Sequence, residues 1–177
     1  MSNSNYRQEF LKKILLPFWT LFVLLFTACV SAPNVYTFIL DGGIQQDFIR
    51  PVELKDKLIN ASIDFTVHTK DGNVTEPVVV NYSLTGTAFE KRPDESIMVF
   101  IVADKDEYAV EEARTLFKSY SPDKIRRSGV IDGNLFKKIV YASEIKIKFV
   151  SKDSRQTSFD SARLKKDFAE LRGLIEP

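Results

Sequence analysis

Residues able to do chemistry are few in this chain. One histidine, His68, and one cysteine, Cys29, stand among 177 residues. A single imidazole cannot build a multi-histidine metal site. A single thiol cannot form an internal disulfide, a cysteine-rich zinc site or an iron-sulfur cluster. Asp104 and Asp106 in "ADKDE" match two ligand positions of a calcium loop, but the third ligand, the glycine and the distant glutamate of such a loop are missing at their offsets. "DGGIQQD", starting at Asp41, has two glycines without the G-x-G-x-x-G spacing or a phosphate-binding lysine, so it reads as a turn. No G-x-S-x-G element occurs, and carboxylates, though plentiful, define a hydrolytic pair only when two are held at a set separation. The reading is of no metal, no cofactor and no enzyme.

Cys29 has a context of its own. Met1 to Lys13 is polar, with Arg7, Lys12 and Lys13 against Glu9, and "ILLPFWTLFVLLF" from Ile14 to Phe26 follows without a charge. A basic start, a short apolar middle and small residues at the exit are the layout of an export signal. A spanning helix needs about 20 apolar residues. The run extended to Val30 gives 17, interrupted by Pro17. The stretch "FTAC" at its end resembles the lipobox of bacterial lipoproteins, with Thr27 and Ala28 before the cysteine and Phe26 where leucine is usual. The resemblance covers only this leader. It implies that residues 1–28 are removed, that Cys29 carries a diacylglyceryl thioether and becomes the mature N-terminus, and that the product sits in the bacterial cell envelope. Val30 in place of Asp after the cysteine favours the outer membrane or the periplasmic side under the Gram-negative sorting scheme.

An anchor of several acyl chains holds firmly, since each buried CH₂ contributes about 0.8 kcal/mol. The linker from Val30 to Asn34 is five residues long. It spans at most about 18 Å, so the domain is expected to ride close to the bilayer. Residues 29–34 read as lipidated cysteine and linker, and residues 35–177 as one globular domain with room for a proper core.

The elements that follow are mainly strands. "VYTFIL" from Val35 to Leu40 is strand-like, and "PVELKDKLIN" from Pro51 reads as a short helix, with proline in its first turn. Ile63, Phe65 and Val67 alternate with polar residues, and Val78, Val80, Tyr82 and Leu84 form a second apolar face, so the two segments predict an antiparallel hairpin half exposed to water. His68 falls on its polar face and reads as solvent-exposed. "IMVFIVA" from Ile97 to Ala103 reads as a central strand, and "DEYAVEEARTLFKSY" as a helix capped by Asp104 or Asp106, with Val110, Ala113, Phe117 and Tyr120 on its stripe. Ile145, Ile147 and Phe149 alternate strictly, a short strand lies around Thr157 to Phe159, and Leu164, Phe168, Leu171 and Ile175 mark a final helix capped at Asp160. The fold class expected is α+β, a mainly antiparallel sheet with two or three helices packed on one face.

Charge is balanced overall and segregated along the chain. Net charge is +1 for the whole sequence, and residues 29–177 carry 22 Lys and Arg against 23 Asp and Glu, which gives no global pull toward nucleic acid. From Cys29 to Phe117 there are 8 basic and 15 acidic residues, whereas Lys118 to Lys166 holds 13 basic and 5 acidic. Two outcomes are open: the halves compensate each other on folding, or Lys124, Arg126, Arg127, Lys146 and Lys148 form a patch for anionic lipid or glycolipid. Three sequons, at Asn60, Asn73 and Asn81, are coincidental in a bacterial protein. The function expected is a membrane-anchored envelope lipoprotein with a non-catalytic binding or structural role, which includes a possible envelope protein partner. The alternatives are an accessory subunit of an envelope export or assembly complex, and an envelope hydrolase.

Overall fold

Strands dominate the computed structural model, which describes residues 33–55, 60–85, 96–120, 123–152 and 154–175. The chain divides into a unit at Met1–Pro33 and a compact unit at Asn34–Pro177, and every element below belongs to the second. The leader, Cys29 and most of the linker lie outside the described residues.

The elements in order are β1 (Val35–Ile39), a 3-10 turn (Asp41–Gly43), β2 (Gln45–Lys55), β3 (Asn60–Lys70), β4 (Asn73–Val74), β5 (Val78–Thr85), β6 (Met98–Ala103), β7 (Asp106–Ala109), β8 (Glu111–Tyr120), β9 (Asp123–Ile131), α1 (Gly133–Tyr141), β10 (Ile145–Val150), β11 (Gln156–Asp160) and α2 (Ala162–Leu171). They form two sheets. The larger runs β1-β2-β3-β5-β9-β8 with β4 beside β3, and the smaller runs β11-β10-β6-β7. Neighbours pair antiparallel throughout. A mainly antiparallel, sheet-rich fold therefore stands, with two helices among the described residues.

The expected antiparallel hairpin forms, with Ile63 opposite Tyr82 and Phe65 opposite Val80. Alternate residues face opposite sides of a strand. Ile63, Phe65, Val67, Val80, Tyr82 and Leu84 thereby share one buried face. Both helices close over it: the Phe65 ring lies 6.0 Å from that of Phe136 on α1 and 5.2 Å from that of Phe168 on α2. The smaller sheet adds Val99, Ile101, Ile145, Ile147 and Phe149 to the same core.

The structure corrects three assignments. Residues 56–59 lie outside the described residues, and residues 51–55 are strand and not helix, because β2 runs through to Lys55. Its register shifts between Ile49 and Val52. Pro51 sits in that irregularity, where a missing N–H costs no regular ladder bond, and Val52 and Leu54 return to the core face. The segment from Asp106 to Tyr120 is strand too, as β7 on the small sheet and β8 on the large one. Val110 and Ala113 pack against the core, but Phe117 is 53% and Tyr120 69% exposed, so the supposed helical stripe never meets a common surface. Pairing with the open flank of β9 overrides weak helical spacing.

The third correction adds α1, which the sequence reading passed over. Asp132 caps it by accepting from the Asn134 and Leu135 N–H groups at 2.9 and 3.1 Å, and it buries Phe136, Ile139 and Val140. Arg172, just past α2, donates through Nε to the Val140 carbonyl at 2.6 Å and through Nη2 to that of Ala142 at 2.8 Å, satisfying the end of α1. α2 itself is capped by Ser161, whose hydroxyl accepts from the Leu164 N–H at 3.2 Å, and not by Asp160. Among the described residues no helix is long and apolar enough to cross a membrane.

Candidate functional site

The best-built polar constellation stands on the outward face of the large sheet. Asp64 on β3 points away from the core by alternation, yet its side chain has no accessible surface. Its Oδ2 accepts from Arg126 Nη2 at 2.7 Å and its Oδ1 from Asn81 Nδ2 at 2.8 Å; Arg126 Nη1 also donates to the Ser83 hydroxyl at 3.2 Å. The register of β3, β5 and β9 sets this up, with Asp64 opposite Asn81 and Ser83 opposite Arg126. A carboxylate so buried requires a charge partner and further donors, and it has both. Each of its oxygens accepts one of these bonds, so the group clamps β3, β5 and β9 together.

Arg127, one residue on, lies on the core face. It is 9% exposed, donates to the carbonyls of Ile97 and Ala113, and so ties β8 to the start of β6. Opposite it, burial pushes the Tyr82 phenol above its ordinary value, and the neighbouring Arg127 guanidinium opposes that shift.

The five residues of the expected anionic-surface patch divide between two sheets. Lys124 and Arg126 share the outward face of β9, and Arg126 is held by Asp64. Lys146 and Lys148 lie on β10 of the other sheet, where Lys146 pairs with Glu144 at 3.7 Å and Lys148 with Glu107 at 2.8 Å. Arg127 is excluded by strand periodicity, which turns it inward. Two pairs, Arg126–Asp64 and Lys148–Glu107, join basic residues of the second half to acids of the first.

Two other residues singled out in the sequence have structural partners. His68 is not solvent-exposed as expected: its side chain is 18% exposed, and Nδ1 lies 3.4 Å from Glu76 Oε2. Asp104 does not cap a helix, because the segment after it is strand. At φ 54 in the β6–β7 turn, its Oδ1 accepts from the N–H and hydroxyl of Ser143 and the N–H of Glu144, which holds its carboxyl below the usual range. Among the described residues no group of three His, Cys, Asp or Glu is placed to hold a metal.

Two features escaped the sequence reading. Asp167, on the buried side of α2, has no accessible side-chain surface and no hydrogen bond among the described residues, with Arg163 Nε 3.7 Å away; burial raises its carboxyl above the ordinary range. The other is apolar and exposed. Phe38, Ile39 and Leu40, at the end of edge strand β1, are 55%, 72% and 41% exposed, a run of consecutive large apolar residues in water. The strand-like run "VYTFIL" was legible; that its end would stand uncovered was not.

Comparison with protein-family models, with curated proteins and with solved structures found no match.

Proposed function

We propose that this chain is a lipid-anchored lipoprotein of the bacterial envelope, whose folded unit has a non-catalytic role in binding an envelope partner. The observation that carries the reading is the placement of Cys29: it ends an export-type leader and precedes, by only a few residues, a compact unit beginning at Asn34. The unit supports a binding or scaffolding role in the way its polar groups are used. Asp64, Asp47 and Arg127 are all buried, and each is spent on holding strands together; Asp47, for example, accepts from Thr37 Oγ1 at 2.6 Å and from Gln45 Nε2 at 3.0 Å. Among the described residues the edge strands β1, β8, β7 and β11 border the two sheets, and a sheet edge is the kind of surface on which strand addition takes place.

Metabolic labelling with a fatty acid in a lipoprotein-processing host, comparing the native chain with Cys29→Ser, tests the anchor. Label on the native protein and none on the variant, with a mature mass lacking residues 1–28, is the expected result. An unmodified Cys29 sulfur or an intact leader on the native protein overturns it.

A further inference from the structure

The exposed apolar run at the end of β1 has a geometry that selects its partner. Phe38 and Ile39 are successive strand residues, so their side chains leave opposite faces of the sheet, and Leu40 lies in the turn beyond them. A flat protein surface covers only one face of such a tip. A fluid apolar medium surrounds the tip and covers both.

The turn is built to present these residues in a fixed arrangement. The Leu40 N–H donates to the Ile44 carbonyl at 2.7 Å, and Gly42 and Gly43 adopt φ 74 and 75, which side-chain-bearing residues rarely do. A Cβ added at either glycine would meet nothing within 4 Å, so these glycines serve the turn's φ angles and the tip projects into open space. Large apolar side chains clustered in water at one strand end mark a membrane or protein contact.

The chain outside the described structure says which. β1 is the first strand after the leader and Cys29, and it is an edge strand of the large sheet. At about 3.3 Å per residue β1 is roughly 13 Å long, comparable with the reach of about 18 Å of the linker that feeds it. A domain tethered at Asn34 can therefore lie with this edge along the bilayer, bringing both ends of β1 to it. At the tether end Tyr36 stands with the Arg50 guanidinium 5.8 Å from its ring centroid, an amphipathic pair suited to the headgroup layer.

We propose that Phe38, Ile39 and Leu40 insert into the acyl boundary of the bilayer to which the chain is anchored, fixing the large sheet edge-on to the membrane. This rests on membrane anchoring of the chain, and the test separates the two. The only tryptophan is Trp19, in the leader. The full chain with Trp19→Phe and Ile39→Trp then has one indole, at an exposed position that tolerates it. It is produced in a lipoprotein-processing host and reconstituted into phosphatidylethanolamine and phosphatidylglycerol vesicles, with and without acyl-chain bromination. A companion with Trp19→Phe and Tyr120→Trp places the indole on the opposite edge and at the opposite end of the sheet.

The expected result is blue-shifted emission at position 39 that brominated acyl chains quench, beside water-like, unquenched emission at position 120. Leu40→Trp is expected to repeat the position-39 result from within the turn. Vesicle-bound protein whose position-39 indole is unquenched, or quenched no more than that at position 120, overturns the insertion alone. Protein that fails to float with vesicles overturns the anchoring and the insertion together. In vesicle-bound protein, Phe38→Ser with Ile39→Ser is expected to lower resistance to extraction by at least about tenfold, through loss of buried apolar area.

Discussion

The centre of the large sheet and its β8 edge share one backbone geometry and have opposite fates. In β3 and β5 alternate residues are buried with no accessible surface, among them Ile63, Phe65, Val78 and Val80. Along all ten residues of β8 not one is buried. Alternation assigns side chains to faces; burial depends on what lies against each face. Helices α1 and α2 lie against the middle of the sheet, and β8 extends beyond that cover. The edge also carries two register irregularities, and Glu112 within the first adopts φ 51. Such bulges twist an edge away from uncontrolled strand addition.

The contrast can be broken most sharply at its centre. Phe65→Ala removes the ring shared by both helices and is expected to cost about 3–5 kcal/mol of unfolding free energy in urea titration. Next, Arg126→Leu leaves the Asp64 carboxylate buried with only Asn81 to answer it. Loss of a partner from a buried pair costs about 3–5 kcal/mol, and because the Arg126 side chain is 33% exposed a smaller loss, about 2–3 kcal/mol, is expected in the same titration.

The junction between the two regions is next in size. A Cβ at Gly129 would come 2.5 Å from Val110 Cγ1 and 2.6 Å from the Glu111 carbonyl oxygen, so β8 must move off β9. Gly129→Ala is expected to cost about 2 kcal/mol. Hydrogen exchange sharpens this one: β8 amides should lose protection before those of β3.

A smaller effect has the opposite sign. The carboxyl of Asp167 is raised in the folded state, so the stability it contributes is complete below its unfolded value and is lost as the pH rises through the folded one. Asp167→Asn is expected to gain about 1 kcal/mol at pH 7 and nothing at pH 3, read from chemical melts at both pH values. The smallest effect belongs to the edge: Leu116→Ser, at a position 50% exposed, should stay within about 0.5 kcal/mol of the parent.

Legibility followed the same divide. The β3–β5 hairpin, β10 and α2 were readable because their apolar period and their burial agree, and β6 because its apolar run is unbroken. Positions 106–120 misled because Val110, Ala113, Phe117 and Tyr120 are spaced for a helix whose stripe would need a surface, and only the first two reach one. α1 was missed although Asp132, Phe136, Ile139 and Val140 carry its cap and stripe, since the apolar run continues into the alternation of β10. Of the polar site, alternation placed Asp64 outward, but its partner Arg126 is 62 residues away, and no local pattern announces so distant a pair.

Sequence by itself determined the strand-rich class, the faces of β3, β5 and β10, and the expectation of an exported, cysteine-anchored chain, because periodicity and leader chemistry are local properties. Only tertiary structure decided that β8 is a strand, that Asp64 and Arg126 meet, that the basic residues divide between two sheets, and that the end of β1 stands bare. Each depends on which surfaces remain uncovered once distant segments have paired, and hydrophobic burial and strand hydrogen bonding settle that only over the whole fold.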